Sequence, residues 1–220
     1  MSKELVIFIL LTICLAIAPK DRISWFLSAF IFLYGVYFRT YWLLIFVLSI
    51  VLFQIFRVKR LSIFSKISLY FATVLVMEIS YNFLTQNYLS NARYSVNLYR
   101  MMDIYSNTII NNPLLNTSLW TDMINFLYGL INIFIPINGI NSANEIMYYV
   151  WIWSIVIVLL KNIQFQNDRR GYLLAFFVAM LSIQAFFEPD IGSMLRHQIV
   201  LIPIILLSVN RERETIELEK

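Results

Sequence analysis

The stretch FFEPDIGSMLRHQ, residues 186–198, holds two carboxylates, a proline, a glycine, an arginine and the only histidine of the chain. Histidine exchanges protons near neutral pH, and a nearby carboxylate can act as general base on a hydroxyl. Glu188, Asp190 and His197 are therefore the candidate acid–base groups. Arg196 adds a guanidinium, a rigid fork of donors that matches phosphate oxygens. Gly192 permits a turn or the close approach of a ligand. Two further arginines, Arg93 and Arg100, share a face if their segment is helical, because their separation is close to two helical turns. Quieter roles fit the same residues. Arg196 can pair with Glu188 or Asp190 in an ordinary loop, which is worth little, and Arg93 and Arg100 can face solvent or lipid headgroups.

Other chemistry finds little support. His197 has no His or Cys partner nearby, so no metal site is expected. The sequence contains no Walker-type loop, GxGxxG or CxxC motif, so neither nucleotide hydrolysis nor a bound cofactor is expected. The lone Cys14 cannot form an internal disulfide and reads as a small core residue. Glu78 falls inside an apolar run, and intramembrane acids are functional candidates by default. Its place toward the end of that run fits an interfacial role equally well.

The elements that must position these groups are apolar. Of 220 residues, 60% are hydrophobic and 14% charged, against roughly 45–50% and 25% in soluble domains, and mean hydropathy is +0.73. The expected class is an all-α integral membrane protein. A helix needs roughly 20 apolar residues to cross a bilayer. Candidate spans are Leu5–Ala18, Ile23–Phe38, Tyr41–Phe56, Leu61–Leu84, Ile146–Leu160, Gly171–Phe187 and Gln198–Val209. The first resembles a signal peptide only superficially, since no small-residue cleavage site follows it. Arg39 and Thr40 alone separate the second and third spans, which predicts a tight hairpin. After the fourth span, residues 85–145 form a polar external region. Within it, TDMINFLYGLINIFIPINGI is interrupted by Asp122, Asn125, Gly129 and Asn132 and ended by Pro136. It reads as an interfacial or re-entrant helix. Residues 1–210 read as one polytopic domain and 211–220 as a cytoplasmic tail.

Lys and Arg bias sets the orientation. About seven spans, with the N-terminus outside, put PKDR, RVKR, the KNIQFQNDRR loop and the RER tail inside, leaving only Lys3, Arg39, Arg93, Arg100 and Arg196 outside. Residues 85–145 and 188–197 then share the external side. The net charge of +4 reflects this retained basic set, and no nucleic-acid partner is expected.

At FFEPDIGSMLRHQIVLIPIILL the chain resembles the Wzy-like O-antigen and capsular repeat-unit polymerases of bacterial inner membranes, as a short or truncated member. The matching residues are Glu188, Gly192, Arg196 and His197, then Pro203. Gln198 stands where a third basic residue is frequent. An external Arg-bearing loop, an interrupted hydrophobic helix and an Ile-Pro-Ile-Asn-Gly-Ile turn extend the similarity over roughly residues 85–210. The resemblance implies transfer of a growing glycan to the hydroxyl of a new repeat unit, both carried on undecaprenyl pyrophosphate. It implies Arg93, Arg100 and Arg196 as pyrophosphate contacts, with Gly192 close to the ligand, and Glu188, Asp190 or His197 as base. The partners would be lipid-linked oligosaccharide, membrane lipids and other polysaccharide-assembly membrane proteins. A non-catalytic transporter, flippase or assembly subunit is the other expectation. Charges lining several spans would favour it, whereas here they gather at one face.

Overall fold

Apolar runs of this length leave the backbone few partners but its own, and the helix meets that need within one segment. The computed structural model describes residues 7–13, 23–100, 109–137, 139–140, 142–161, 168–199 and 201–202. Among these, regular structure is helical. The helices are α1 (residues 7–13), α2 (Ile23–Tyr37), α3 (Tyr41–Arg57), α4 (Ile63–Thr85), α5 (Asn91–Arg100), α6 (Leu119–Phe134), α7 (Ala143–Lys161), α8 (Asp168–Phe187) and α9 (Ile191–Gln198). The only β feature among the described residues is an isolated antiparallel bridge between Ile109 and Asp190. Two helices, Ile63–Thr85 and Ala143–Lys161, are long and apolar enough to cross a membrane, and Ser24–Tyr37, Tyr41–Arg57 and Gly171–Phe187 are shorter apolar helices. Cys14, the basic loop after α7, the tail 211–220 and most of the first and last candidate spans lie outside the described residues.

The chain divides into two compact units. The first comprises Met1–Arg60, Ser154–Ala179 and Arg196–Lys220, the second Leu61–Trp153 and Met180–Leu195.

In the first unit the expected hairpin forms: α2 ends at Tyr37 and α3 starts at Tyr41. Gly35 permits the close crossing, because a Cβ there would stand 2.8 Å from Leu43 Cδ2 and 2.9 Å from Leu43 N. Leu27 and Ile31 on α2 and Ile45, Leu48 and Leu52 on α3 are buried, at the spacings of one helical face. The Tyr34 ring stacks on Phe38 and meets Trp42 edge-on, with centroids 5.2 and 4.8 Å apart.

In the second unit, Ser62 caps α4 by accepting from Ser65 N at 3.1 Å, which stops RVKR from continuing as helix. Gln86 ends α4 in the left-handed region at φ 55°. Ser118 and Thr121 form a capping box at the start of α6. The helix stops at Phe134, and Ile135, the residue before Pro136, is extended at φ −133° and ψ 125°, as proline requires of its predecessor.

The end of the chain differs from the sequence reading in one respect. The break after α8 is confined to residues 188–190, and Gly192 lies in the first turn of α9 instead of in a turn between spans. Asp190 starts that helix by accepting from Ser193 N at 2.8 Å. Gly192 still serves a close approach, since a Cβ there would lie 3.1 Å from Asp190 Oδ1.

Gly35→Ala is expected to cost about 1–3 kcal/mol by overpacking against Leu43, read as a lower melting temperature of the detergent-solubilised protein. An unchanged melting temperature would mean the two helices do not cross this closely.

Candidate functional site

The Glu188–Pro189 step stops α8 at Phe187, and a helix end leaves carbonyls without partners. Arg93 of α5 supplies them. Its Nη2 donates to Ala185 O and its Nε donates to Phe186 O at 3.3 Å. Gly129 of α6 makes room, because a Cβ there would collide with Ala185 O and stand 2.8 Å from Arg93 Nη2. Phe126 of α6 stacks on Phe186 with centroids 4.5 Å apart.

Arg93 is 0% exposed. Burial pulls its pKa down to about 10, opposed first by Asp122 and then by Glu188 and Tyr128, so it carries its charge at neutral pH. Nη1 is buried with no hydrogen-bond partner among the described residues.

Asp122, in the first turn of α6, accepts through Oδ1 from Ser90 N at 3.2 Å and from Ser90 Oγ. Glu78 of α4 accepts through Oε1 from Leu89 N at 3.4 Å. The Glu78 and Asp122 carboxyls also lie close enough to interact with each other. Both are fully buried. The turn from α4 into α5 is thus held by two acids from neighbouring helices.

Asparagines extend the network. Asn125 Nδ2 donates to Leu114 O at 2.9 Å and its Oδ1 accepts from Leu114 N at 3.1 Å. Asn116 Nδ2 donates to Ser90 Oγ and Asn91 Oδ1 at 2.8 and 2.6 Å. Asn97 Nδ2 donates to Ile110 O at 2.8 Å, and Ile110 N donates to Pro189 O at 2.8 Å. The asparagine-rich segment is thereby pinned to the break after α8.

The candidates from sequence separate as follows. Arg93, Glu188, Asp190 and Gly192 belong to the second unit, and Arg93 and Glu188 interact electrostatically. Glu188 and Asp190 are buried. Arg196 and His197 belong to the first unit. Arg196 is exposed and His197 half-buried, with the imidazole centroid 6.4 Å from the Tyr41 ring. Arg100 ends α5, and its side chain lies outside the described residues. Sequence reasoning missed the Glu78–Asp122 pair and the role of Asn125. The usable signal was the spacing of Asp122, Asn125, Gly129 and Asn132, which places all four on one stripe of α6.

No protein-family model, curated protein or solved structure matches the chain.

Asp122→Ala is expected to destabilise the fold by about 3–5 kcal/mol, because it leaves a buried guanidinium undercompensated. Glu78→Gln should cost less than about 1 kcal/mol, because its amide keeps the size of the side chain and can donate to the Asp122 carboxylate. Comparable losses for both variants in thermal unfolding would overturn this account of the pair.

Proposed function

We propose that the chain is a multi-pass protein of a bacterial inner membrane, N-terminus outside, that joins lipid-linked oligosaccharides at the outer face. The membrane part of the reading draws on polarity. α6 buries Asp122, Asn125, Gly129 and Asn132 and turns Trp120, Ile124, Leu127 and Ile131 outward. In water that arrangement is costly on both faces; in lipid it is favourable on both. Only 11% of the apolar window of α4 and 28% of that of α7 is buried, so neither resembles the core helix of a soluble protein. About seven spans and the positive-inside bias then set the orientation.

One observation carries the catalytic part: the break after α8 holds two buried carboxylates, Glu188 and Asp190, in the second unit. In the reaction the acceptor hydroxyl oxygen attacks the anomeric carbon of the donor glycan. The carbon–oxygen bond to pyrophosphate breaks, and the lipid pyrophosphate leaves with the electron pair. The hydroxyl proton passes to Glu188 or His197. Asp190 is the weaker base candidate, since its Oδ1 is engaged at Ser193 N. Arg196, exposed on α9, offsets the charge that develops on the departing phosphate.

A second reading has its own support. Arg93 donates to carbonyls and Asp190 caps a helix, roles that a framework needs without any chemistry. A non-catalytic flippase, transporter or assembly subunit of a surface-polysaccharide pathway fits these facts.

Two experiments separate the possibilities. With Cys14 replaced by Ser, a cysteine at the exposed Ser95 should react with an impermeant maleimide in intact spheroplasts, and one at the exposed Lys59 only after lysis. The reverse pattern overturns the orientation. In the native host, Arg196→Ala and Glu188→Gln should leave protein abundance unchanged and abolish long-chain surface polysaccharide. Chains of normal length in both variants favour the non-catalytic reading.

A further inference from the structure

In the first unit, α2 and α3 enclose a cleft of ≈ 420 Å³, with Tyr172 of α8 in its wall. That volume lies within the usual range for ligand pockets, about 300–1,000 Å³. The two helices are antiparallel neighbours, so Ser24 and Trp25 of α2 and Gln54 and Arg57 of α3 mark one end of the cleft, while Phe32 and Phe46 lie toward the turn. One end is therefore polar and cationic and the other aromatic.

The wall has little to offer a sugar or a peptide. Ser28 Oγ donates to the Tyr172 hydroxyl at 2.5 Å, and Ser49 Oγ lies 3.4 Å from the same hydroxyl, so much of this polar capacity is met within the protein. Ala29, Phe32, Phe46, Ile50 and Phe53 supply the remaining surface. At the cationic end Arg57 is followed by Lys59 and Arg60, all exposed. Trp25 is 76% exposed beside them, as suits a residue at the level of lipid headgroups. A hydrocarbon chain matches this apolar lining and the cation at its end.

We infer that this cleft is a binding site for an anionic phospholipid, one acyl chain lying along α2 and α3 and the phosphate at the Arg57–Arg60 end. The inference rests on the membrane reading above and is independent of the catalytic one.

The test uses the full chain in phosphatidylcholine vesicles doped with lipid brominated on its acyl chains, and reads tryptophan quenching against a Trp25→Phe control. Brominated phosphatidylglycerol should quench Trp25 at about five-fold lower mole fraction than brominated phosphatidylcholine. That is the factor one basic residue contributes near an anionic surface. Arg57→Gln with Lys59→Gln and Arg60→Gln should abolish the preference, and so should Ala29→Phe, which fills the cleft and keeps the charge. Equal quenching by the two lipids overturns the inference. So does a preference that survives Ala29→Phe, since surface charge alone would then explain it. Failure of the chain to float with the vesicles overturns the membrane reading together with the site.

Discussion

A guanidinium keeps its charge inside a protein, so a fully buried arginine must be matched on every side. Arg93 meets that demand at Nε and Nη2 with parts of four helices, while Nη1 is buried with no hydrogen-bond partner among the described residues. It reaches from α5, fills the open carbonyls at the end of α8, and is balanced by Asp122 at the start of α6. Asp122 in turn lies beside Glu78 of α4. Removing Asp122 leaves the Arg93 charge buried without its main partner, which costs far more than the intact pairing contributes. The second unit thus combines a buried polar cluster with its apolar core.

The same unit closes the end of α6 in the same way. Tyr149 of α7 donates to Asn132 O, and the Trp153 indole donates to Phe134 O, each at 3.0 Å. The last carbonyls of a helix need partners from side chains, water or a tightened last turn. Here side chains from a neighbouring helix supply the donors. The inward stripe of α6 mixes Phe126 and Ile133 with an aspartate and asparagines that find partners inside, while Trp120, Ile124, Leu127 and Ile131 face out.

Much of this was legible along the chain where the cause is local. Two residues between apolar runs implied the α2–α3 hairpin. Pro136 and Pro189 implied the ends of α6 and α8, because proline constrains the residue before it. The break at 188–190 came out shorter than expected. Asp190 is a strong N-cap, and a helix can start directly from it, which draws Gly192, Arg196 and His197 into α9. The partners of Arg93 were not legible at all. They lie 29 to 95 positions away, at Asp122 and Glu188, and no periodicity within α5 encodes them. Arg93 and Arg100 do occupy related positions on one helix, yet that relation says nothing of burial, and burial is what commits the Arg93 donors to carbonyls.

This commitment bears on where an anion could be held. Nε and Nη2 of Arg93 already donate to backbone, and the group has no exposed surface, so it cannot present a two-pronged fork to phosphate without leaving α8 uncapped. Arg196 is exposed, but it stands in the last turn of α9 with His197, where the helix carries roughly half a unit of negative charge. That field favours cationic side chains, and so explains both residues on stability alone. It also opposes an anion. A pyrophosphate at Arg196 would gain from the full charge of the guanidinium against the partial charge of the helix end. The arginine, and not the helix, would have to do the holding, so the contact should depend on the side chain's charge and reach more than on the fold beneath it.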